Sequence, residues 1–148
     1  CAMPSHANKK VPEGTVEMFY GWYFKHVRNP LQATKLLPQY KRWLEDDLYD
    51  ALVKVYKKTP QTSTDFLDFD PFYNTQGTPL SCSVGKAVDR DDTAQVPVTV
   101  VSELRKKVSD KLYVVINEHR DGTWLIYDVK YPSGDSLRQI LKKRYGLL

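Results

Sequence analysis

Cysteine is nearly absent: the chain holds two in 148 residues, Cys1 and Cys82, so at most one intramolecular disulfide can form. Histidine is almost as scarce, with three, and His6, His26 and His119 never stand at metal-ligand spacing or beside paired cysteines. No metal site is expected. Serine-triad patterns, phosphate-cradling glycine loops and dinucleotide fingerprints are missing as well, so no cofactor is expected either. The acidic run Asp89-Arg90-Asp91-Asp92 lacks the glycine and the distal glutamate of a calcium loop. No stretch of about 18 apolar residues exists, which excludes a predicted membrane span.

What the chain has in quantity is aromatic rings. Ten tyrosines, three tryptophans and five phenylalanines supply large buried area with polar edges, and imply aromatic walls around a core or cavity. Apolar residues at 41% and charged residues at 27% place it among ordinary globular proteins, and the length suits one core. The organisation expected is a flexible tail over residues 1–12 and a single domain over 13–148. The net charge of +4 is spread over short clusters, Lys9-Lys10, Lys57-Lys58, Arg105-Lys106-Lys107 and Lys142-Lys143-Arg144. No long basic stripe interleaved with aromatics appears, so no nucleic-acid partner is expected.

The beginning, Cys1-Ala2, looks like the mature end of a bacterial lipoprotein, with Cys1 as the lipid-attachment residue and Ala2 favouring outer-membrane sorting. Ser5-His6-Ala7 before Asn8 also fits an ordinary signal-peptidase site. Both readings place the protein in the periplasm or cell envelope. An oxidising compartment could pair Cys1 with Cys82 if the tail folds back. The surroundings Ser81-Cys82-Ser83-Val84 favour instead a small, buried, apolar cysteine.

Val16, Phe19, Tyr20, Tyr23, Phe24 and Val27 follow helical spacing, with Thr15 as candidate N-cap and Asn29-Pro30 as the stop. A second helical region runs from about Leu31 to Tyr56, interrupted or kinked near Pro38, with Tyr40, Leu44, Leu48, Leu52 and Val55 as its stripe beyond it. Periodicity fails from Thr59 to Ser81. There Asp65, Asp68 and Asp70 lie among Phe66, Phe69, Phe72 and Tyr73, in a long loop of the kind that often carries function. Strand patterns resume at Ser83–Val88 and Ala94–Leu104, the latter with Val96, Val98 and Val100 on one face. A short helix with Leu137, Ile140 and Leu141 follows, capped by Ser133 or Asp135 and ended by Gly146. The expected class is α+β: N-terminal helices packed on a curved antiparallel sheet of about four strands, then a short C-terminal helix.

The stretch Lys111–Tyr131 carries the sharpest local signal, because Asp121-Gly122 suits a two-residue hairpin turn. That register sets Ile116 opposite Tyr127, Val114 opposite Val129 and Leu112 opposite Tyr131 on a core face. The other face receives His119 opposite Trp124, Asn117 opposite Ile126, Val115 opposite Asp128 and Tyr113 opposite Lys130, a mixture suited to a pocket lining.

The aromatic first helix Phe19-Tyr20-Gly21-Trp22-Tyr23, the segment Asp70-Pro71-Phe72, the strands around Asp89-Arg90-Asp91 and Val96-Pro97-Val98, and Trp124-x-Ile126-x-Asp128-Val129-x-Tyr131 resemble the bacterial family of unknown function numbered 3828. Its wider group is the nuclear-transport-factor-2-like, or cystatin-like, cone. The resemblance implies a cone whose helices sit in the concave side of the sheet, and a secreted protein or lipoprotein. It implies no reaction.

The function expected is a non-enzymatic envelope protein that binds a protein partner or a small apolar ligand through an aromatic-lined opening. Its candidate binding residues are Phe19, Tyr20, Tyr23, Asp70, Phe72, Asn117, Trp124 and Asp128. An immunity-type protein that neutralises a toxin is the related alternative. The rival from another class is a pocket enzyme of isomerase or dehydratase type, with Asp128 as general base and Tyr20 or Tyr127 as hydrogen-bond donor. Asp70 before Pro71 also fits an Asx turn that holds its loop.

Overall fold

The computed structural model describes residues 10–58, 70–74, 79–90, 92–102 and 109–148. Helices come first: α1 (Pro12–His26), α2 (Pro30–Lys35), α3 (Leu37–Tyr40), a single 3-10 turn (Lys41–Trp43) and α4 (Asp46–Lys58). Strands β1 (Pro79–Val84), β2 (Val88–Arg90), β3 (Thr93–Ser102), β4 (Ser109–Glu118) and β5 (Trp124–Lys130) follow, and α5 (Leu137–Tyr145) closes the chain. This is the expected α+β class. The sheet is antiparallel in the order β1-β3-β4-β5, and β2 pairs with the other end of β3.

Local chemistry explains most boundaries. Proline sits in the first turn of α1, where its missing N–H costs nothing, and the helix N-cap is Val11. Thr15, the expected cap, is instead fully buried inside α1 and donates its hydroxyl to the Trp124 carbonyl at 2.8 Å, pinning the helix to the start of β5. Asn29 caps α2 by accepting the Gln32 N–H at 2.9 Å. The helical region is interrupted near Pro38, as expected, rather than kinked: Pro38 lies in the first turn of α3, with a break at Leu36 before it and another at Leu44-Glu45. Ser136, rather than Ser133 or Asp135, caps α5, which ends at Gly146 in the left-handed region (φ 65°).

The core lies between the helices and one face of the sheet. Val16, Phe19, Tyr20, Tyr23 and Val27 of α1 meet the inward alternation Ala94, Val96, Val98 and Val100 of β3, with Leu112, Val114 and Ile116 of β4. The edge of β5 is covered, because Leu44 bridges to Ile126 and Ser136 to Lys130. Cys82 is buried as expected, yet it is not a free thiol: it is disulfide-bonded. Cys1 and the loop residues Asp65, Phe66, Asp68 and Phe69 lie outside the described residues.

The hairpin departs from the two-residue turn. Gly122 N–H bonds to the His119 carbonyl and His119 N–H to the Thr123 carbonyl, both at 2.8 Å, so Arg120, Asp121 and Gly122 form a three-residue loop. Gly122 takes φ 83°, the conformation that such a loop requires at its last position. The register moves by one: Glu118 faces Trp124, Asn117 faces Leu125 and Ile116 faces Ile126. A bulge at Tyr127 then restores the expected pairs Val115 with Asp128, Val114 with Val129 and Tyr113 with Lys130. Trp124 and Ile126 therefore join the core face, whereas Tyr127 turns outward and is 38% exposed.

Candidate functional site

The aromatic residues singled out in the sequence converge. Phe19 lies 5.1 Å from Tyr20, 5.2 Å from Tyr23 and 4.8 Å from Phe72 between ring centroids, and Tyr23 lies 5.5 Å from Tyr40 and 5.1 Å from Tyr73. Most of these pairs are edge-to-face, the geometry that ring quadrupoles favour. All six rings are buried, and Trp22 and Trp43 extend the cluster toward the surface. Rings expected to wall an opening thus pack against one another.

The turn Asp70–Asn74 is the keystone of this cluster. Three consecutive residues each accept one tyrosine hydroxyl: Tyr23 donates to Asp70 Oδ2 at 2.8 Å, Tyr131 to the Pro71 carbonyl at 2.8 Å and Tyr20 to the Phe72 carbonyl at 2.6 Å. Asp70 Oδ1 accepts the N–H groups of Phe72 at 2.9 Å and Tyr73 at 3.2 Å, which is the expected Asx turn. Asp70 is half-buried as a residue, but its carboxyl is enclosed, and desolvation pushes its pKa up to about 6 against the opposing pull of these three donors. The phenols of Tyr20, Tyr23, Tyr40, Tyr56, Tyr73 and Tyr131 are raised in turn, chiefly by burial and next by neighbouring charge, with the Asp70 carboxylate a contributor to each.

Asp128 is placed elsewhere. Register puts it beside Val115 on the outer face of the sheet, away from Trp124, Phe19 and Tyr23. It is 8% exposed, and its Oδ1 accepts the N–H of Val129 at 2.8 Å and of Arg138 at 2.9 Å, the latter in the first turn of α5. The carboxylate fastens α5 to β5. Tyr20 points into the core and Tyr127 to the surface, so neither proposed donor shares a pocket with Asp128.

Arg138 is the residue that sequence reading missed. Its guanidinium grips Asp47 of α4 with two bonds, at 2.9 and 2.7 Å, lies 3.6 Å over the Tyr127 ring, and its Nε donates to the Tyr127 carbonyl. The Asp47 carboxyl is held below its ordinary range by that hydrogen-bonded guanidinium. Nothing local signals this clamp, since Asp47, Tyr127 and Arg138 lie on three elements. His119 Nε2 meets Glu45 Oε1 at 2.8 Å, and among the described residues no cluster of histidine, cysteine and carboxylate suits a metal ion.

The outer face of the sheet is the remaining surface. Pairing aligns rows across it: Ser83, Thr99 and Lys111; Pro97, Tyr113 and Lys130; Gln95, Val115 and Asp128; Thr93, Asn117 and Leu125. Asn117, expected in a pocket lining, accepts the Thr93 hydroxyl at 3.0 Å here. Tyr113 is 39% exposed at the centre, with Lys111 Nζ 5.5 Å from its ring centroid. Gly85 is tucked against the β3 backbone, its N–H bonded to the Pro97 carbonyl at 2.8 Å, and a Cβ there would meet Pro97 Cγ at 2.8 Å.

Helices gathered on one face of an antiparallel sheet, around a core of mutually packed aromatic rings, define the fold. No family model and no curated protein matches the chain. Solved structures do. A chain of the type VI effector–immunity complex Tae3–Tai3 from Ralstonia pickettii, in its selenomethionine form, aligns at a TM-score of 0.61 and 23% identity, over 82% of this chain and 97% of that one. A chain of the native complex aligns at 0.58 and 20% identity, over 83% and 96%. Identities this low establish a shared fold.

Proposed function

We propose that this chain is a non-enzymatic binding protein of the immunity type, which acts by holding an effector-like protein partner. The observation that carries the reading is its fold, shared along nearly the whole of a chain taken from an effector–immunity complex. The interior supports it. Fully buried rings closed over Asp70 leave the surface as the part that meets a partner, and Asp128 is spent on fastening α5 to β5. A binder needs no reactive centre, because it works through buried contact area and a few anchoring side chains.

The disulfide at Cys82 supports placing the protein in an oxidising compartment such as the periplasm. The test is co-expression with the protein encoded beside this chain, both exported to the periplasm. The expected outcome is growth arrest by that protein alone, relief by this chain, and recovery of the two as one complex. Growth arrest that persists, with two separately eluting proteins, overturns the reading.

A further inference from the structure

We infer that the outer face of the sheet, centred on Tyr113 with Lys111 and Lys130, is where the protein partner docks, and that the partner presents carboxylates to it. This rests on the binding role proposed above and deepens it. Tyr113 stands between Pro97 and Lys130 in one cross-strand row, and Lys111 lies over its ring. Tyrosine is a preferred anchor of protein interfaces, since it buries a large rigid ring and keeps a polar tip.

Charge on this face is of one sign. Lys111 and Lys130 are exposed, β3 holds no acidic residue, and Asp110 and Glu118 of β4 fall on the opposite parity from Tyr113. The remaining acid, Asp128, is buried and engaged by two backbone N–H groups. Among the described residues no exposed carboxylate occupies an outer-face register position in β3, β4 or β5, although the helical side carries Glu13, Glu17, Glu45, Asp46 and Asp47. An acidic partner finds no repulsion here and two cations to pair with. The face is large enough: ten-residue strands at a rise of ~3.3 Å, in a sheet four strands wide at a spacing of ~4.8 Å, offer several hundred Å², near the roughly 800 Å² that each side of a standard interface contributes.

The experiment measures the affinity of the full chain for the protein encoded beside it, at two salt concentrations. Tyr113→Ala and the pair Lys111→Glu with Lys130→Glu are each expected to weaken binding roughly 30-fold or more, and the charge pair also to flatten the salt dependence. The control pair Lys25→Glu with Lys54→Glu makes the same charge change on the helical side and is expected to stay within about twofold of wild type. All three variants are at exposed positions, and unchanged urea midpoints verify the fold. Wild-type binding that survives the outer-face substitutions, or falls equally in the control, overturns the docking surface while leaving the binding role intact. Wild-type chain that binds nothing overturns the role itself. A homodimer of the chain alone, broken by Tyr113→Ala, assigns the face to self-association and overturns the partner.

Discussion

Tyr23, in the first helix, donates its hydroxyl to the carboxylate of Asp70 across 2.8 Å and 47 positions of sequence. With the Tyr20 and Tyr131 hydroxyls on the Phe72 and Pro71 carbonyls, it ties helix, turn and the end of the last strand into one knot. Removing the donor while keeping the ring isolates the bond. Tyr23→Phe leaves a buried carboxylate oxygen short of a partner and is expected to cost about 1–3 kcal/mol in urea unfolding. Phe72→Ala removes a ring packed on three others, Phe19, Tyr23 and Tyr40, and is expected to cost about 3–5 kcal/mol.

The same carboxylate sets a pH dependence. Its folded-state pKa, about 6, lies above the ~3.9 of an unfolded aspartate, so the folded chain holds the proton more tightly. The Asp70 contribution to stability is therefore full below about pH 4 and is lost as pH rises through 6, by the order of 2–3 kcal/mol. The Asp47 carboxyl, lowered by Arg138, works in the opposite direction and at lower pH. Comparing wild type with Asp70→Asn from pH 4 to 7.5 removes such shared terms: the difference in unfolding free energy should shift toward favouring Asn as pH rises, and level off above 7.

Asp128 separates structure from chemistry. Asp128→Asn retains an oxygen for the Val129 and Arg138 N–H groups and should leave stability within about 0.5 kcal/mol, with partner binding unchanged. Asp128→Ala leaves the Val129 and Arg138 N–H groups without this acceptor and should cost about 1–2 kcal/mol. Arg138→Ala is expected to loosen α5 by a similar ~1 kcal/mol, since Asp47 at the far end of the clamp is largely exposed. Thermal unfolding of the four proteins checks the ranking.

Cys82 makes a mass prediction. With one other cysteine in the sequence, its disulfide is expected to give an unlipidated monomer about 2 Da lighter before reduction than after. A diacylated Cys1 instead adds the mass of its lipid and leaves Cys82 open to alkylation.

Much of the fold was legible because burial writes a period into the chain. Val96, Val98 and Val100 alternate, and Val16, Phe19, Tyr20 and Tyr23 keep helical spacing, so each announced its own face. The hairpin shows where this stops. Asp121-Gly122 serves a two-residue turn and a three-residue loop equally well, since both use glycine at positive φ, and the choice moved Trp124 and Ile126 from a supposed pocket into the core. The bulge at Tyr127 had no local mark either; it belongs to the place where Arg138 reaches across the strand. Of the candidate residues, Phe19, Tyr20, Tyr23, Asp70 and Phe72 come together in one cluster. What periodicity could not say was whether those rings enclose space or fill it.

Native mass spectrometry of this chain mixed with the protein encoded beside it tests the central claim most directly. The expected spectrum shows a one-to-one heterocomplex, together with unbound chain free of any small-molecule adduct. A chain that stays alone in the mixture, or carries an apolar ligand released on unfolding, contradicts the account.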